Sequence, residues 1–214
     1  MQVSGDETAE TGSSRRLRAD AQRSEDALLE AAKALFAEAG VDAPAREIAA
    51  RAGVGVGTLY RRFPKRADLV AAVFRREVDA CAADAATLAA SHPPAEALAL
   101  WLARYTGFLT TKKGLAAALH SGDPAFDTLP DHFRSRFEPA LTALLDTAAA
   151  AGAIRGDVAA YDLLRAIGNL ATAGGEDGAA HVSRMLGLLI DGLRYGAAGT
   201  AHRSPQSCRP SAPG

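Results

Sequence analysis

The chain has 214 residues, 48% of them hydrophobic and 23% charged, with a formal net charge of −1, a balance that excludes wholesale disorder. It has no apolar run of about 18 residues, which excludes a helical membrane span. Its two cysteines, Cys81 and Cys208, do not suggest a disulfide framework.

Residues 1–14, MQVSGDETAETGSS, hold three acids and no base, lack apolar periodicity and read as a polar tail rather than a secretory leader. The expected location is therefore cytoplasmic. Residues 15–66 reverse the charge, with eleven Lys or Arg against seven Asp or Glu, so a local basic footprint hides inside a near-neutral total.

Ala21 to Ala39 forms the first expected helix, with Leu28, Leu29, Ala32, Leu35 and Phe36 falling on one face at three- and four-residue spacing. Gly40 ends it. A short second helix follows Pro44 through AREIAARA, with Gly53 as its stop. A third spans Val56 to Arg62 and closes at Pro64. The fourth starts near Lys65 and turns Leu69, Val70, Val73, Phe74 and Val78 inward. Five more are expected: Ala95 to Thr111, Leu115 to Ser121, Leu129 to Ala151, Val158 to Ala173 and Ala179 to Tyr195. Residues 197–214 mix Ser, Pro, Gly and Ala and read as a second tail. The fold class is all-α with about nine helices.

The stretch AGVGVGTLYRRFPKR, Ala52 to Arg66, has two readings. As a dinucleotide loop it fails, because a helical segment rather than a strand precedes it and the fingerprint's third glycine would fall on Thr58 or Tyr60. As helix, turn and helix it satisfies each demand. Gly53 supplies positive φ after the second helix, Val54 plugs the angle, and Ala49 and Ala50 let the helices approach. Ile48, Val54 and Leu59 then join Phe36 and Phe63 in a small core, leaving Gly57, Thr58, Tyr60, Arg61 and Arg62 outward. Hydroxyls, guanidinium groups and bare backbone are what phosphate oxygens and base edges require.

The run LLEAAKALFAEAGVDAPAREIAARAGVGVGTLYRRFPKRADL, Leu28 to Leu69, resembles the DNA-binding domain of the TetR family of bacterial transcription regulators. IAARAGVGVGTLYRRF and AAKALFAEAG, with the spacing between them, are the most specific parts. WLARYTGFLTTKKGLAAAL and RMLGLLIDGLR resemble the C-terminal domain of its SbtR-like branch. The resemblance implies a helix-turn-helix domain over 15–66, followed by an effector-binding and dimerisation domain over 67–196. It implies operator contacts from Thr58, Tyr60 and Arg61, with Arg66 gripping phosphate where relatives usually carry lysine. Gly57 and Val56 suit a close approach to phosphate and to a thymine methyl group. Arg62 completes the surface, and Arg16 and Arg18, with Arg15, could serve as a basic arm. Two positions depart from the family: Gly55 replaces the usual capping Ser or Thr, and Glu25 stands where arginine is frequent.

For an effector cavity the candidates are Trp101, Tyr105 and Phe108 on one helix face, with Phe126, Phe133 and Phe137 closing it and His120 or Asn169 as polar anchor. A plain aromatic core is the competing reading. The dimer interface implied by the resemblance uses Leu163, Ile167 and Leu170 with Val182, Met185, Leu186, Leu189, Ile190 and Leu193. No metal-ligand spacing and no cofactor motif is found. The expected function is a homodimeric DNA-binding regulator of a palindromic double-stranded operator, most simply a repressor released by a small apolar or amphipathic effector. A ligand-independent regulator or activator shares the same DNA binding. A helical enzyme is the rival from another class, and it lacks a nucleophile, base and orienter set.

Overall fold

The computed structural model describes residues 7–110, 121–172 and 178–195, with side chains over 18–109, 121–171 and 178–195. Among them are eight α-helices and no strand: α1 Glu7–Ala39, α2 Ala45–Arg51, α3 Val56–Arg62, α4 Arg66–Ser91, α5 Pro94–Thr110, α6 Leu129–Ala150, α7 Ala160–Thr172 and α8 Gly178–Arg194. A 3₁₀ turn at Pro124–Phe126 precedes α6, and the Asp123 carboxylate caps it by accepting from the Ala125 N–H at 2.9 Å. The helix expected over Leu115 to Ser121 lies outside the described residues except for its last position. None of the described helices is long and apolar enough to cross a membrane.

The first helix differs most from expectation. It begins at Glu7 rather than Ala21, so residues 7–14 of the expected tail are helical. They lack an apolar stripe, but they are continuous with an anchored helix and contain no proline, and propagation needs only one backbone bond per added residue.

The described residues fall into two compact units, Met1–Ala80 with Phe108–Arg136, and Cys81–Gly107 with Phe137–Gly214. In the first, α1 packs on α2 and α2 on α3 around Leu28, Ala32, Leu35, Ile48, Leu59 and Leu69, all buried. Phe36 and Val54 pack against this cluster, as expected, whereas Ala50 is exposed and only Ala49 serves the close helix approach. In the second, α7 packs on α8, and fully buried Trp101, Leu102, Leu141, Ile167 and Val182 lie in its interior.

Candidate DNA-binding interface

The turn between α2 and α3 is a Schellman motif. The Gly53 N–H donates to the Ala50 carbonyl at 3.1 Å and the Val54 N–H to that of Ala49 at 3.0 Å. This geometry requires a left-handed residue, and Gly53 has φ +69°. The chain then enters α3 through Gly55, whose extended backbone (φ −70°, ψ 143°) has no side chain to cap the helix. Its carbonyl still accepts from the Thr58 N–H at 2.8 Å. At the other end the Phe63 N–H closes the helix on the Leu59 carbonyl at 2.8 Å.

With Leu59 and Phe63 drawn into the core, the remaining positions of α3 turn outward. Val56 is 38% exposed and Tyr60 54% exposed, so the tyrosine ring is not packed away against α1. Gly57 and Arg61 are exposed beside them, and Thr58 is half-buried. Arg61 Nη2 donates to Thr58 Oγ1 at 2.9 Å, which holds a guanidinium and a hydroxyl side by side on one helical turn. The structure thus brings Val56, Gly57, Thr58, Tyr60 and Arg61 onto one short helical surface.

Arg66 is arranged differently from expectation. Its Nε donates to the Val41 carbonyl at 2.7 Å and its Nη2 to the carbonyls of Val41 and Ala43, while the guanidinium lies 5.2 Å from the centroid of the Phe36 ring. Burial lowers its pKa, opposed by the charges of Asp42 and Tyr60. The side chain expected to grip phosphate clamps the loop before α2, with two donor atoms and one face of the group engaged. Tyr60, Lys65 and Arg66 also line a cleft of about 300 Å³ with Asp42, Pro44 and Phe63. Lys65 itself is exposed, and its N–H donates to Asp68 Oδ2 at 3.0 Å in the manner of a capping box that starts α4.

Arg62 is exposed and ion-paired with Glu25 of α1, a partner that sequence reading missed. The signal in the sequence was the acid at position 25 itself, one of seven in the segment 15–66. Arg16 and Arg18 sit within α1 rather than on an arm preceding it. Arg18 is exposed, and the side chain of Arg16 lies outside the described residues.

Two family models match the chain: the bacterial regulatory proteins of the tetR family over residues 28–73, and the C-terminal domain of SbtR-like transcriptional regulators over residues 93–195. A TetR transcriptional regulator of Streptomyces coelicolor is 42% identical, with a TM-score of 0.66, covering 79% of this chain and 98% of that one. The chain belongs to the TetR family. A second TetR regulator, from Mycobacterium vanbaalenii, is 34% identical with a TM-score of 0.63 and covers 83% of this chain and 99% of that one. FadR of Bacillus subtilis, solved in complex with stearoyl-CoA, shares the fold at 19% identity and a TM-score of 0.55, covering 78% of this chain and 97% of that one. No curated protein sequence matches significantly. The protein is accordingly a DNA-binding transcriptional regulator with the TetR fold, and the outward surface of α3 is where its helix-turn-helix presents side chains.

In this TetR protein the aromatic residues expected to line one cavity divide between the two compact units. Trp101 stacks on Tyr105 with ring centroids 5.7 Å apart and planes within 1°, and Phe137 meets both edge-on at 6.0 and 5.1 Å. The indole Nε1 donates to the Cys81 carbonyl at 2.9 Å, and the Tyr105 hydroxyl to the Leu164 carbonyl at 3.3 Å. Burial, reinforced by Cys81, pushes the Tyr105 hydroxyl up to about 12. The other group, in the first unit, has Phe108 and Phe133 edge-on at 6.0 Å, with Phe126 buried. Asn169 is on the exposed face of α7, which removes it as an anchor inside the aromatic core, and His120 lies outside the described residues.

The expected dimer residues also divide. Leu163, Ile167, Val182, Leu186 and Leu193 are buried within this single chain, as part of its own core. Leu170, Met185, Leu189 and Ile190 are half-buried, and Leu188, beside Leu189 on α8, is 63% exposed. A single helix facing two apolar surfaces gives a continuous periodic pattern, and periodicity alone does not say where one face ends.

Proposed function

We propose that the protein is a homodimeric repressor of a pseudopalindromic double-stranded DNA operator, acting without catalysis in the cytoplasm and released by a small apolar or amphipathic molecule. The observation that carries this reading is the outward surface of α3, where Val56, Gly57, Tyr60 and Arg61 are exposed with Thr58 half-buried beside them. Val56 can meet a thymine methyl group, Gly57 leaves the backbone bare, and the Thr58 and Tyr60 hydroxyls suit phosphates. Arg61 has the fork geometry for guanine or phosphate, held ready by Thr58. Residues 15–66 serve as the DNA-binding domain and 67–196 as the effector and dimerisation domain.

The proposed route of release is α4. Within its own unit the indole of Trp101 is bonded to the Cys81 carbonyl of α4, and Arg66, the first residue of the same helix, clamps the loop before α2. A ligand that displaces the Trp101–Tyr105 stack would pull on α4 and shift the recognition module. Two modules engaging one operator tolerate little change in spacing, because simultaneous binding is lost when the geometry no longer matches.

Selection of bound fragments from genomic DNA by the purified protein tests the reading. The expected motif is two-fold symmetric, with half-sites about 10 base pairs apart or a multiple of that. Recovered fragments without symmetry would sink the dimeric-operator proposal.

A further inference from the structure

The pair between Glu25 and Arg62 joins residues 37 positions apart and places a carboxylate of α1 against the last residue of the recognition helix. The other charged side chains of α1 with partners across the unit are directed elsewhere, Asp26 to Arg76 and Lys33 to Glu77 on α4, and Glu38 to Arg51 on α2. Glu25 alone among these reaches α3. Its side chain is 19% exposed, whereas that of Arg62 is 53% exposed, so the guanidinium is accessible to a third party while the carboxylate behind it is largely enclosed.

A carboxylate and a phosphodiester offer a guanidinium the same kind of acceptor. We propose that Glu25 is an internal competitor for DNA phosphate: it occupies Arg62 in the free protein and so restrains sequence-independent binding. A duplex approaching this edge of α3 must exchange one anionic partner for another. The exchange yields no additional charge-assisted bond, and it leaves Glu25 facing the phosphates it has been displaced by. Binding that depends only on phosphate contacts is weakened accordingly. The proposal rests on α3 being the DNA-facing helix, and it assigns to Glu25 the opposite role from a phosphate-binding cation at the same place.

Titration of a fluorescein-labelled duplex of arbitrary sequence, followed by anisotropy between about 50 and 200 mM salt, tests it. Glu25→Gln should bind about two- to five-fold more tightly per module, the equivalent of one exposed ion pair. The slope of log affinity against log salt should steepen by about 0.9 per module, as one more phosphate is neutralised. Arg62→Gln alone should lose less than about two-fold, since its charge is already engaged, and the double variant Glu25→Gln/Arg62→Gln should lose the gain. A gain of equal size in the double variant would overturn the proposal, because it would reduce Glu25 to through-space repulsion. So would an unchanged affinity for Glu25→Gln, or a large loss for Arg62→Gln by itself. A wild-type protein that binds no duplex at any salt concentration would instead overturn the DNA-facing assignment of α3.

Discussion

Arg66 donates through Nε to the Val41 carbonyl across 2.7 Å, tying the first residue of α4 to the loop that leads into α2. Arg66→Ala removes the donors to Val41 and Ala43 and the cation above Phe36. Bonds from charged groups contribute about 1.5–3 kcal/mol, so a loss of about 1–3 kcal/mol is expected for this half-buried group. Urea unfolding measures it. A stability unchanged from wild type, together with a loss of DNA affinity, would return Arg66 to the DNA-contacting set.

Arg61→Ala should weaken operator binding by about 1–3 kcal/mol and relax preference at one base pair per half-site if the side chain reads a base. A uniform loss across sequences with a shallower salt slope would make it a phosphate contact. Equal affinity and an equal footprint would remove it from the interface.

Leu188 is the large apolar residue of α8 most open to solvent, and a charge there touches little of the chain's own core. Leu188→Glu should give folded monomers in sedimentation velocity, because an exposed apolar patch that buries itself in a partner does not accept a carboxylate. Val182→Asp, placed in the core, should unfold the protein instead. A persistent dimer in Leu188→Glu would locate the interface elsewhere.

Tyr105 supplies a pH-dependent test of the aromatic core. Its folded pKa is raised to about 12 from an ordinary value of 10.0, so the unfolded chain releases the proton first. The stability it contributes is complete below about 10 and is lost as pH rises toward about 12. Urea midpoints should fall more steeply across that window in wild type than in Tyr105→Phe. Parallel curves would mean that the hydroxyl is not held as described.

Much of the recognition module was legible because its determinants are local. Gly53, Val54 and the ends of α3 follow from spacing within about ten residues, where periodicity and turn chemistry operate. The misread features depend on partners far along the chain. Glu25 meets Arg62, and Arg66 meets Val41, across 37 and 25 positions, and a basic residue looks equally available whether or not such a partner exists. The aromatic candidates share this difficulty. Trp101, Tyr105 and Phe108 recur at helical spacing, but the first two pack with Phe137 and the third with Phe133. Hydrophobicity reports that a side chain is buried, not which neighbours bury it.

Cys81, whose carbonyl receives the Trp101 indole, is 5% exposed. A thiol enclosed to that degree is reached by an alkylating reagent only when its surroundings open. In a Cys208→Ser background, the labelling rate at Cys81 would serve as an internal clock for opening events around the tryptophan. A ligand held in the same unit would slow that clock before any change in DNA binding had been measured.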